Sequence, residues 1–77
     1  MKTRIDRRIK RIMALKEKVG EFSLDLYYND LDDINPYVAK LSGPKFNKAG
    51  LHYQAKSFLE ALDDAERFLK TMKYDRF

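Results

Sequence analysis

A chain of 77 residues with 44% hydrophobic side chains, five Phe and five Tyr can close one hydrophobic core, close to the lower size limit for doing so without staples. Cysteine is absent, which excludes a disulfide framework and thiolate metal sites and fits a reducing, cytoplasmic setting. Sixteen Lys and Arg against twelve Asp and Glu leave a net charge of +4, and that excess is unevenly placed.

Residues 1–18 carry Lys2, Arg4, Arg7, Arg8, Lys10, Arg11, Lys16 and Lys18 against only Asp6 and Glu17, a local balance of eight minus two, or +6. These cations interrupt every turn, so neither a signal-peptide core nor a membrane span forms, and no membrane contact is expected. Ile5, Ile9, Ile12 and Val19 recur at helical spacing, which predicts a helix over Thr3–Val19. Thr3 with Asp6 has the form of a capping box, and Gly20 supplies the stop. On a helical wheel centred on Ile12, Leu15, Val19, Ile5, Ile9 and Met13 span about −60° to +100°, while Arg4, Arg11, Lys18, Arg7 and Lys10 follow one another from about −80° round to 160°. The cations therefore form one flank beside a buried face.

Residues 21–35 reverse the sign, with Glu21, Asp25, Asp30, Asp32 and Asp33 and no Lys or Arg. Phe22, Leu24, Leu26 and Tyr28 alternate as in a strand, but Leu24, Tyr27, Tyr28, Leu31 and Ile34 suit a helix capped by Ser23, and the helix is the expectation for this segment. Asn35 as N-cap, Pro36 at the first helical position and Gly43 with Pro44 beyond the end predict a short helix over 37–41. The alternative is a two-stranded ribbon at about 21–28 and 37–41.

After a basic connector, Asn47 is expected to cap a last helix over Lys48–Lys73, roughly 25 residues and about 37 Å long. A compact chain of this size is about 30 Å across, so such a helix overhangs the rest. Ala55, Phe58, Leu62, Ala65, Leu69 and Met72 form its apolar seam, and with Ala61, Phe68 and Leu59 the apolar surface covers about half of the circumference. The first helix and the middle segment can cover it, or a second copy can, which makes a homodimer the alternative. The expected architecture is an all-α, single helical domain over 1–77, with two longer terminal helices and one or two short middle helices.

Arg4, Arg7 and Arg11 lie at i, i+3 and i+7 with roughly 5 Å of rise between neighbours, close enough to meet adjacent phosphates. The competing readings are a solvated face and internal neutralisation by the acidic segment through Asp25, Asp30, Asp32 and Asp33. Lys45, Lys48 and His52 form a second candidate anion site at the start of the last helix, with Tyr53 on its outer face as a stacking platform. The spacing from Gly43 to Gly50 is not that of a Walker loop. His52 is the sole histidine, which leaves no zinc or catalytic-histidine site. Asp30, Asp32 and Asp33 start like a calcium loop, but Ile34, Asn35 and Leu41 stand where it needs a ligand, Gly and Glu. Asp63 with Arg67 and Glu66 with Lys70 have the spacing of helix-supporting pairs.

No nucleophile with its base, metal cluster or cofactor loop is present, so no enzymatic activity and no cofactor are expected. The expected function is a small binding protein that regulates or inhibits a larger protein partner by docking through its helical faces, with Tyr27, Tyr28, Leu59 and Phe68 as contact residues. The alternative is an anion binder, taking nucleic acid, a nucleotide or a phosphorylated ligand on Arg4, Arg7, Arg11, Lys45, Lys48 and His52. Because Leu62 centres the apolar stripe, Leu62→Ala is expected to cost about 2 to 5 kcal/mol in a denaturant melt. A loss below about 1 kcal/mol places the stripe elsewhere.

Overall fold

A computed structural model, describing residues 3–46 and 48–72, is α+β rather than an all-α bundle. In chain order it contains α1 (Arg4–Met13), α2 (Lys16–Val19), β1 (Ser23–Tyr28), β2 (Tyr37–Ser42), β3 (Leu51–Ala55) and α3 (Phe58–Thr71). The strands form an antiparallel meander in the order β1-β2-β3.

The middle segment is strand because its alternation is matched across the sheet. Leu24 faces Leu41, Leu26 faces Ala39 and Tyr28 faces Tyr37; on the far side of β2, Leu41 faces Leu51, Ala39 faces Tyr53 and Tyr37 faces Ala55. Cross-strand partners share a face, so one register gathers all nine side chains on one side. The expected short helix over 37–41 is thereby corrected to β2. Its supposed cap belongs to a turn: the Asn29 amide donates to the Pro36 carbonyl at 2.6 Å, and the Asn35 amide donates to Asp32 Oδ1 at 2.9 Å. The two-stranded alternative covers the β1 and β2 regions and lacks the third strand.

That third strand lies inside the expected long helix. Leu51, Tyr53 and Ala55 alternate with His52 and Gln54, and pairing with β2 fixes them as β3. The last helix therefore begins ten residues later than expected, at Phe58, where the Ser57 side chain accepts from the Glu60 amide at 3.2 Å. Asn47 and Lys73, the expected cap and end, lie outside the described residues. At 14 residues α3 spans about 21 Å and has no overhang.

The first helix is closer to expectation but broken. The Thr3 side chain accepts from the Asp6 amide at 3.1 Å and Asp6 Oδ2 accepts from the Thr3 amide at 3.2 Å, which completes the capping box. A turn at Ala14 and Leu15 then separates α1 from α2, which stops at Gly20 with φ +103°. Arg8 meets Asp63 and Arg11 meets Glu66, both 55 positions apart, so α1 and α3 run in the same direction.

Both long helices lie on the apolar side of the sheet, giving two layers. Ile12 from α1, Val19 from α2, Phe22, Ala39 and Leu41 from the sheet region, and Ala61, Leu62, Ala65 and Leu69 from α3 make the buried core. Each fully buried Leu or Ile contributes about 1.5 to 3 kcal/mol. The half-circumference stripe of α3 is thus covered by β2, β3 and α1 of the same chain, and the coverage argument for a homodimer falls away.

The turn into β3 depends on Gly50, whose φ is +78° and where a Cβ would sit 2.8 Å from the Leu41 carbonyl oxygen. Gly50→Ala is expected to destabilise by about 1 to 3 kcal/mol in a thermal or denaturant melt. A change below about 0.5 kcal/mol would mean that this turn runs differently.

Candidate functional site

Helix α1 divides its cations between two duties. Arg8 and Arg11 turn toward α3, where Arg11 Nε and Nη2 donate to Glu66 Oε2 and Oε1 at 2.7 and 2.8 Å and Arg8 Nη1 donates to Asp63 Oδ1 at 3.0 Å. Arg8 also lies 3.9 Å from Glu66, and Lys70 lies 3.5 Å from the same carboxylate. The Glu66 side chain is only 4% exposed, so the paired fork of Arg11 replaces water around a charge that the core has desolvated. That hydrogen bond outweighs desolvation and, helped by the nearby Arg11 and Lys70 charges, holds the Glu66 carboxyl below the usual carboxylate range. The same contact raises the Arg11 guanidinium. Arg67 sits on Asp63 at 3.3 Å and on Asp64 at 2.9 Å, so both of these acids of α3 have a cation.

Of the three arginines grouped as an anion ridge, Arg11 is therefore engaged with Glu66, while Arg4 and Arg7 stay exposed. Lys10 joins them on the outer side of α1. The neutralising acids come from α3, not from Asp25, Asp30, Asp32 and Asp33. Arg8, unassigned on the sequence, is half of the clamp.

The second candidate anion site loses the helix that motivated it. Lys45 is exposed with its side chain along Gly20, Lys48 is exposed in the β2–β3 connection, and His52 is exposed on β3 opposite Lys40. Among the described residues no helix begins there. Tyr53 faces inward instead of outward, its ring 6.1 Å from that of Phe68, and burial followed by the Asp64 charge raises its hydroxyl. Phe68 also lies 6.4 Å from the Phe46 ring, so Phe68 closes the core, and Leu59 is half-buried.

Tyr27 and Tyr28 go to opposite sides of the sheet, as successive strand residues must. Tyr27 meets His52 edge-on at 6.5 Å over the open face. Tyr28 stands edge-on to Tyr37 at 5.1 Å, and Tyr37 to Phe58 at 4.8 Å, an aromatic row leading from the β1 edge to the start of α3. Beyond Tyr28 the hairpin loop presents two side chains that the sequence reading placed in a helix core: Leu31 is 91% exposed and Ile34 is 71% exposed. Tyr28 is 57% exposed beside them.

This loop is held by its own polar residues. Asn29 Oδ1 accepts from the Leu31 amide at 3.1 Å, the Asn29 carbonyl accepts from the Asp32 amide at 3.2 Å, and Asp32 Oδ1 accepts from the Ile34 amide at 3.0 Å. Such side-chain turns fix the backbone so that Leu31 and Ile34 are presented to solvent. Asp30 and Asp33 stand exposed among them. The turn formers Asn29, Asp30, Asp32, Asp33, Asn35 and Pro36 were the available signal for this loop.

Among the described residues, no three His, Asp or Glu gather as metal ligands, and no helix is long and apolar enough to cross a membrane. Comparisons with models of known protein families, with characterised proteins and with solved structures give no match to this chain. Fold and surface define a small α+β chain with an acidic, apolar hairpin tip and a basic outer helix strip.

The clamp is testable through pH. Since the folded Glu66 carboxyl is held below its unfolded value, its contribution is complete above about pH 4.3 and is lost as pH falls through the lower folded value. Glu66→Gln is expected to cost about 1.5 to 3 kcal/mol at pH 7, with the gap to the parent narrowing below about pH 4. Denaturant melts in neutral and acid buffer check this, and a gap that persists unchanged in acid contradicts it.

Proposed function

We propose that this protein acts without catalysis, by docking on a larger protein through the β1–β2 hairpin tip and thereby regulating or inhibiting it. The observation that carries the reading is the exposure of Leu31 and Ile34 on a loop whose backbone is already fixed. Isolated surface aliphatics are ordinary, but here two of them share a short loop that starts after exposed Tyr28, the last residue of β1, with a row of rings behind it. Each gives about 1.5 to 3 kcal/mol when buried by a partner, and a preformed loop lowers the ordering cost of binding. The flanking acids specify the partner: an apolar recess rimmed by Lys and Arg, since residues 21–35 hold five acids and no cation.

The proposed contact lies on the hairpin and not on the helical faces. Leu59 and Phe68 serve the core, whereas Tyr28 stays in the contact surface and Tyr27 lies on the opposite sheet face.

Leu31→Asp with Ile34→Asp is expected to leave the melting midpoint within about 1 °C of the parent, because surface changes of this kind stay near zero in stability. It should weaken binding to the partner, identified by capture from host cells and then measured with purified protein, by about 100-fold or more. Asp30→Lys with Asp33→Lys should weaken the same complex and reduce its salt dependence. Light scattering covers the other occupant: a concentration-dependent dimer that the double Asp variant abolishes would make the tip a self-association surface. Undiminished binding by both variants ends the proposal.

A further inference from the structure

We infer that the outer strip of α1, formed by Arg4, Arg7 and Lys10, is a separate binding site for the phosphodiester backbone of a nucleic acid. This strip is independent of the hairpin tip. What the structure adds to the charge run is a sorting: Arg8 and Arg11 are held by Asp63 and Glu66, while Arg4, Arg7 and Lys10 are exposed and make no ion pair among the described residues.

An unneutralised strip has a cost that the sequence could have avoided. Within it Arg4–Arg7 and Arg7–Lys10 are like-charge neighbours at i, i+3, each destabilising by about 0.2 to 0.5 kcal/mol, set against one acid, Asp6, at i, i+4 before Lys10. Arg4 also lies in the first turn, where the macrodipole opposes a cation. Helix α3 is built the other way, with Arg67 and Lys70 placed on Asp63, Asp64 and Glu66. Three acids of α3 meet cations of their own helix, whereas Arg4, Arg7 and Lys10 of α1 keep two like-charge contacts. A bound polyanion relieves that repulsion.

The dimensions fit a backbone better than a single phosphate. From Arg4 to Lys10 the strip rises about 9 Å, the axial rise of about three nucleotides of one strand. Arginine at two of the three positions favours bidentate contact with phosphate oxygens. The strip has no aromatic residue and no loop that could enter a groove, so recognition is of the backbone and independent of base sequence.

Fluorescence polarisation with a short DNA duplex, the same duplex as RNA, and polyglutamate of matched charge tests the site. Three phosphate contacts on duplex DNA give a salt slope of about −2.7, so affinity should fall about 40-fold between about 50 and about 200 mM salt. Arg4→Gln, Arg7→Gln and Lys10→Gln together should weaken binding at least about 10-fold at the lower salt and flatten the salt dependence. The same variant should melt no lower than the parent, because it removes repulsion. Arg4→Lys with Arg7→Lys should keep most of the salt slope, separating charge from any change of fold. The comparison of the two duplexes identifies the nucleic acid. The proposal is overturned if neither duplex binds at low salt, if the triple variant binds like the parent, or if polyglutamate binds as tightly as the duplexes.

Discussion

A carboxylate shut away from water governs how this chain is put together. Glu66 lies in the stripe of α3 that otherwise carries Leu62, Ala65 and Leu69, and leaving it unpaired there would cost far more than the fold can spare. Its bidentate bond from Arg11, reinforced by Arg8 and Lys70, fixes α1 alongside α3 with a definite direction and rotation. With Arg8 and Arg11 engaged by Asp63 and Glu66, Arg4, Arg7 and Lys10 are exposed cations of α1 that make no ion pair among the described residues. Pairing with α3, and not direction on the helix, therefore decides which cations of α1 stay uncompensated.

The same clamp explains why the terminal helix surfaces were only partly legible. Ile5, Ile9 and Ile12 mark the buried side of α1, and Thr3 with Asp6 marks its start, because both signals are local. Which arginine is paired depends on a residue 55 positions away, and nothing within α1 encodes that. The i, i+4 spacing of Glu66 and Lys70 does place them together, at 3.5 Å. The stronger partner is nonlocal.

Between the helices the reading failed because one set of residue types serves two purposes. Asn35, Pro36, Gly43 and Pro44 are helix punctuation if the intervening residues coil and turn punctuation if they pair. Periodicity should have decided, since Tyr37, Ala39 and Leu41 alternate and have partners at Leu24, Leu26 and Tyr28 in matching register. The second partner of β2, Leu51 with Tyr53 and Ala55, falls inside the span expected for the last helix, whose 3,4 seam starts at Ala55. Ala55 fits both patterns, and extending the seam back through it hid Ser57, whose bond to the Glu60 amide marks the true start. Leu31 and Ile34 suffered the same error, since spacing suited to a helix core belongs here to a turn that turns both side chains outward.

Charge sorting also constrains how the two proposed surfaces work together. A partner whose recess is rimmed by cations attracts Asp30 and Asp33 but repels Arg4, Arg7 and Lys10, so association is fastest when the hairpin leads. Attraction of this kind sets the approach, whereas burial of Leu31 and Ile34 sets how long the complex lasts. Repulsion from the helix strip disappears once a phosphate backbone lies on it. A partner that is itself bound to nucleic acid satisfies both surfaces, with its cations facing the hairpin and its polyanion facing α1, and linking two weak contacts in one complex raises affinity without any new contact.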